Sequence, residues 1–429
     1  MSFSDNIESA FETIGKDNLT EVRKTALASF KILGIPSARH EEWKYTHIKT
    51  KLPDTLTLVK EPLSMVQEAT VAPLLTFRDV EGHRLVFING LFSPENSRIT
   101  PQLGAVIGSL KDNLSQYRDV ITRHYNQATD ITKENFAALN SAFAQDGAFI
   151  YIKKNTAVST PVYIHHVYDH IYADIFTQSR NLIVVEEGAS VNIVEDFKNL
   201  NGEKFYNHVS EVFIGQNAEV NYAYLQLETK TSTSINYVEA RLQKDARYHI
   251  TTVTLDGKLV RNNVNAYMDG ENALATLNGL YIGKDSNHID NHILVDHRVP
   301  NCNSHQVYKG VLDDESTGVF NGKIFVQKDA QKTNAYQSSK AVLLSDDASM
   351  NSKPQLEIFA DDVKCSHGAA IGQVSKNELF YLLARGIDKD TARGILTYAF
   401  ANGIINDIKV PELRAYLDDK LKERLNITI

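Results

Sequence analysis

The chain has two cysteines among its 429 residues, and one of them, Cys365, stands two positions before a histidine, His367. Both lie in Asp361-Asp362-Val363-Lys364-Cys365-Ser366-His367-Gly368-Ala369-Ala370-Ile371-Gly372. In an extended segment side chains alternate with period two, so Cys365 and His367 face the same way. A thiolate beside an imidazole suits a thiophilic metal such as iron or zinc. Two ligands leave a coordination sphere incomplete. An iron–sulfur cluster takes about four thiolates or their substitutes, and Cys302 is the one other cysteine. The chain can therefore supply part of a cluster site, with a partner supplying the rest. The competing reading makes Cys365 a small buried apolar residue and His367 a satisfied polar group. Residue types alone leave both open.

A second set of candidate ligands is His288, His292, His297, Cys302 and His305. Imidazoles with one thiol could bind zinc and would make this a zinc-binding structural protein. Their spacing matches no ordinary zinc motif, and on strands they would face different ways. Asp313, Asp314 and Glu315 are adjacent, which suits a solvated turn better than the clustered carboxylates of a β-helix carbohydrate-active enzyme. Gly279-Leu280-Tyr281-Ile282-Gly283-Lys284 and Gly318-Val319-Phe320-Asn321-Gly322-Lys323 resemble a phosphate loop superficially. Each has three residues between its glycines where that loop has four, and neither has Ser or Thr after the lysine. Both are expected at corners of the fold, and the isolated chain is not expected to bind ATP. Trp43, the one tryptophan, is expected to anchor the N-terminal segment.

The elements that must position these residues fall into three parts. In residues 1–148, Ile7, Ala10, Phe11 and Ile14 sit at helical spacing, closed by Gly15. Leu19, Val22, Ala26, Leu27, Phe30 and Leu33 form a second apolar stripe, stopped by Gly34 and Pro36. A loop-rich stretch from Lys51 to about Arg78 follows, then a strand over Arg84–Ile88 entering an Asn89-Gly90 turn. Helical spacing returns over Leu114–His124 and at Phe136, Leu139 and Phe143.

Residues 149–372 carry short alternating apolar runs instead. Four corner-like units place alanines at 189, 218, 246 and 273, in steps of 29, 28 and 27. A period in this range points to a solenoid or propeller, and short strands without helical stripes favour a β-solenoid. A β-sandwich with accidental spacing is the alternative. Residues 373–429 are helical again. Ser375-x-x-Glu378 is a capping box, Asp388 or Asp390 can cap a second helix bearing Ala392, Ile395, Leu396, Ala399 and Phe400, and Leu413, Leu417, Leu421 and Leu425 stripe a third.

Composition narrows the class. The chain is 42% hydrophobic and 23% charged, with a net charge of −8. That content is ordinary for a globular protein, and the acidic balance argues against nucleic-acid binding. No apolar run approaches the ~18 residues that span a membrane. The polar N-terminus is no signal peptide, and two cysteines form no disulfide framework, so a cytoplasmic location is expected.

Together these motifs resemble one family. The 361–373 segment, followed by ELFYLLARGI and AR-x-x-L-x-x-AF, resembles the C-terminal signature of the SufB/SufD family of iron–sulfur cluster assembly proteins. Glu41-Glu42-Trp43-Lys44-Tyr45-Thr46 resembles the box near the start of its SufD branch. Leu139-Asn140-Ser141-Ala142-Phe143 with Asp146-Gly147, then Pro161-Val162-Tyr163-Ile164, resembles the entry to the family's core. The short, cysteine-poor chain is more similar to SufD than to SufB. The resemblance implies a right-handed parallel β-helix flanked by N-terminal and C-terminal helical domains. It implies a non-catalytic scaffold for de novo iron–sulfur cluster assembly, paired with SufB through the β-helix and a homodimer when isolated. The C-terminal helices would bind SufC, an ABC-type ATPase. His367, with Cys365 as the lesser member, would ligate a cluster transiently shared with SufB, and no cluster would stay on the isolated chain.

Overall fold

A computed structural model describes residues 3–52, 58–59, 71–168, 176–199, 204–228 and 231–427. Most of the stretch expected to be loop-rich, between 52 and 71, lies outside them. Strands form where β-branched and aromatic residues recur at every second position between tight corners. In chain order they begin with β1 (His83–Ile88), β2 (Leu91–Phe92), β3 (Ala105–Ser109), β4 (Ala148–Ile152), β5 (Val162–Tyr168), β6 (Phe176–Val185), β7 (Ser190–Asn199), β8 (Lys204–Ile214) and β9 (Glu219–Glu228). They continue with β10 (Ser232–Leu242), β11 (Arg247–Thr254), β12 (Leu259–Met268), β13 (Leu274–Gly283), β14 (His288–His297), β15 (Asn303–Leu312), β16 (Thr317–Val326), β17 (Asn334–Leu343), β18 (Ser349–Ile358) and β19 (Lys364–Gly372). From β4 onward, successive strands alternate between two sheets, and each pairs in parallel with the strand two places on. The core is thus a parallel β-solenoid, and the sandwich alternative is excluded.

The expected corners are present and stack. Gly188, Asn217, Asp245 and Asn272 take positive φ values of 66°, 53°, 59° and 60°. Asn, Asp and Gly tolerate this left-handed conformation best. Each corner's N–H donates to a carbonyl of the next coil, as from Asn217 to Lys244 and from Asp245 to Glu271. The following alanines, 189, 218, 246 and 273, are sealed in the core. The ladder continues one coil further with Asn301 (φ 64°) and Cys302, which is also fully buried.

Of the two loop-like glycine segments, the first runs along β13 and enters the expected corner at Lys284, next to Asp285 at φ 53°, while the second lies within β16 and not at a corner. Their glycines make room for aromatic rings: a methyl group at Gly279 would overlap the Tyr308 ring, and one at Gly322 the Phe320 ring.

Helices cover both outer faces. Helices α1 (Phe3–Glu12), α2 (Thr20–Leu33) and α5 (Asn135–Phe143) pack on the even-numbered strands through Ile7, Ala26, Phe30, Phe136 and Phe143 against Phe176, Phe205 and Val209. Between them lie α3 (Leu110–Asn113) and α4 (Arg118–His124). Trp43 is the expected anchor, its ring 5.4 Å from Phe136 and 3.9 Å under the Arg261 guanidinium. The N-terminal part is not all helix. β1 pairs in parallel with β5, and β3 pairs antiparallel with β4, so residues 83–109 complete the first coil. The expected turn joins β1 to β2 at Asn89 and Gly90, both at positive φ.

At the other terminus, α6 (Lys376–Ala384) begins at the Ser375 cap. Asp388 rather than Asp390 caps α7 (Lys389–Ile405), and α8 (Pro411–Arg424) carries the leucine stripe. That stripe is buried against α7 and the odd-numbered strands, where Leu225, Leu280, Ile282 and Val311 meet it. The helices therefore lean on the solenoid wall. α7 buries the expected Ala392, together with Gly394, Thr397, Ala401, Ile404 and Ile405, while the expected Ile395, Leu396 and Phe400 are only partly buried and Ala399 is exposed. At Gly394 the reason is close approach: a methyl there would stand 3.1 Å from the Leu425 carbonyl. Among the described residues no helix is long and apolar enough to cross a membrane.

Candidate functional site

Cys365 and His367 lie on β19, the edge strand of its sheet. In register they stand beside Ala335 and Gln337 of β17. The expected alternation holds, and both residues share the face that, one coil earlier, points into the solenoid. Ala335 and Gln337 are sealed there, with Gln337 Nε2 donating to Gln306 Oε1 at 2.7 Å. At β19 the stack has no further coil on it. His367 is consequently exposed, and Cys365 is half-buried against Ile324, Ala335 and Leu356. Burial pushes the Cys365 thiol up, partly offset by the Ala335 backbone. The free group is a thiol that a metal must deprotonate on binding.

The rim around the pair is apolar. Tyr336, Ile358, Phe359 and Ile371 are exposed, with Phe359 at 59 %. β18, the edge of the other sheet, runs beside them. A pair of edge strands with unpaired backbone groups and an apolar rim is a template for another chain. Further along, α6 buries none of its residues and exposes Phe380, Tyr381 and Leu383.

The structure scatters the histidine-rich set. His288 and His292 face outward under the N-terminal segment, at Thr46 and Glu42. His297 points inward to Ser304 Oγ at 2.9 Å, its pKa lowered to about 4 by burial. Cys302 fills a corner of the alanine ladder, and His305 is exposed on the other sheet. No zinc site is assembled from these residues.

Instead, the interior holds a cluster that motif reading missed. His166 on β5, Glu195 on β7 and His208 on β8 converge across the lumen, all fully buried. Among the described residues it is the one group of three or more His, Cys, Asp or Glu whose ligand atoms lie within 4.8 Å of one another. Burial pushes the Glu195 carboxyl up, but His208 and His166 more than reverse this and hold it below the usual range. Burial lowers His166, against the pull of Glu195. Sequence spacing gave no direct signal: β5 and β7 pair with an offset of 31, so Glu195 stands opposite Ile164 and His166 opposite Phe197, and the two side chains meet diagonally across that pair.

Comparison with known proteins agrees with this architecture. Residues 170–400 match the model of the SUF system FeS cluster assembly SufBD core domain, and residues 3–164 that of the SufBD protein N-terminal region. An iron–sulfur cluster assembly SufBD family protein of Synechocystis is 33% identical over 93% of this chain and 89% of its own length. The iron–sulfur cluster assembly protein SufD of Escherichia coli is 29% identical over 91% of this chain and 90% of its own. SufD of Bacillus subtilis is 26% identical over 95% and 94%. With both family models in chain order on a solenoid ending in Cys365 and His367, the chain belongs to the SufB/SufD family of the SUF iron–sulfur cluster assembly system, on its SufD branch.

Proposed function

We propose that this chain is a non-catalytic scaffold subunit that works with SufB and SufC in the cytoplasm, and that β19 carries its share of the site where a cluster forms. The observation that supports this reading most is the position of Cys365 and His367 together on an edge strand, inside an exposed apolar rim. SufB would stack on β18 and β19 and cover that rim. The isolated chain would cover it with a second copy, as a homodimer. The nascent cluster is cargo: the His367 imidazole and, secondarily, the Cys365 thiolate ligate its iron beside SufB thiolates. The exposed face of α6 suits SufC, and SufC association driven by ATP would move the helices beside β19 and open the interface to iron.

The test is anaerobic reconstitution of the complex co-expressed with SufB and SufC, read by cluster absorbance and iron content. His367→Ala should assemble normally but lose most of the cluster, and Cys365→Ala should lose less. A His367→Ala complex that assembles the full cluster would overturn the proposal.

A further inference from the structure

The interior cluster lies on β5, β7 and β8, at the opposite end of the strand order from β19. His166 Nε2 lies 2.7 Å and His208 Nε2 3.1 Å from Glu195 Oε1. We propose that His166, Glu195 and His208 form an interior site for a single zinc-class or ferrous dication, taken up as the first coils close.

Four observations carry this. The donor set, two imidazoles and one carboxylate, is that of open zinc and non-haem iron sites. The three groups arrive from three strands of two sheets, so an ion there would tie both walls of the lumen together. The orienting shell is present: His208 Nδ1 lies 2.7 Å from Ser179 Oγ, Asn181 Nδ2 donates to Glu195 Oε1 at 2.7 Å, and the Tyr222 hydroxyl donates to Oε2. A metal-bound imidazole that donates its other N–H in this way is held in one tautomer. Finally, His166 Nδ1 is buried with no partner among the described residues. The ring can therefore carry its proton there, with a metal on Nε2 replacing the hydrogen bond that Nε2 now makes to Glu195 Oε1.

The test uses the full chain, unfolded and refolded under reducing conditions with ZnCl2 or CoCl2, then desalted and assayed for metal. Wild type should retain about one ion per chain, and so should the Cys365→Ala/His367→Ala double variant. Glu195→Gln should retain none. Ser179→Ala, a small change that removes the His208 anchor, should weaken retention about 10- to 100-fold. This variant decides the matter should Glu195→Gln fail to refold. Wild type that retains no metal overturns the proposal, as does undiminished retention by Ser179→Ala or by a folded Glu195→Gln chain. Sulfur-to-cobalt charge-transfer bands in the cobalt spectrum of the wild type would place the ion on cysteine and overturn it equally.

Discussion

At the scale of single residues, ligand and structural roles separate by burial. His367 is exposed, so His367→Ala should change stability by no more than a surface change does, about 0.5 kcal/mol. Cys365→Ala removes a half-buried atom from the Ile324–Ala335 cluster and should cost about 1 kcal/mol. Loss of cluster in the histidine variant then reads as lost ligation, and parallel melts check it. A second residue makes stability depend on pH. Burial first, and then the nearby Glu134 carboxylate, raise Glu239 from 4.5 to about 8, against bonds from Tyr267 and Asn265. Between those values the folded chain keeps a proton that the unfolded chain has released. The stabilisation is complete below about 4.5 and is lost as pH rises through about 8. Glu239→Gln is neutral throughout. Its stability from urea unfolding should therefore gain on wild type between pH 5 and pH 8, by on the order of a few kcal/mol. An equal gap at both values would refute the buried acid.

At the scale of elements, corners were the most legible feature. Asn217, Asp245 and Asn272 announce a left-handed residue, and the alanine after each announces a sealed site. Cys302 is the instructive case. In sequence it read as a possible ligand, but its place after Asn301 makes it another rung of the ladder. Cys302→Ala should consequently cost no more than about 1 kcal/mol and leave metal content unchanged, as melts and metal analysis would show. What the residues could not reveal was the neighbour each side chain would meet. Gly279 mimicked a phosphate loop because its reason, the Tyr308 ring one coil on, lies 29 residues away in sequence. Gly279→Ala should cost about 1–3 kcal/mol by overpacking. Tyr308→Leu in the same chain should recover part of that cost, and a double-mutant cycle measures the coupling. In α7 the larger Ile395 and Phe400 drew the eye, but the fully buried positions include Gly394, Thr397 and Ala401, and Gly394 lets Leu425 and Ile427 come close. Likewise His166, Glu195 and His208 become one cluster only after the coils are in register.

At the scale of the whole molecule, the two ends of the solenoid differ. The first coil ends in the short strands β2 and β3, which join antiparallel and leave little edge to pair with. The last coil ends in β18 and β19, ten and nine residues long, with Ile358, Phe359 and Ile371 exposed beside them. If, as proposed, the β18–β19 end recruits and the other does not, the result should be closed pairs instead of filaments, because a two-fold contact uses the same surface on both partners and leaves none free. The same surface would serve SufB or a second copy, so the two should compete. Phe359→Asp and Ile371→Asp place charges on the rim without touching the buried core. Each should leave the coils folded by circular dichroism and abolish both self-association and SufB capture. SufC capture, assigned here to α6, should persist. Sedimentation across a concentration series should show wild type saturating at two copies and the variants staying single. Growth beyond two copies would mean that the first end also recruits. A Phe359→Asp chain that still pairs would move the interface away from β19 and detach Cys365 and His367 from the site of cluster assembly.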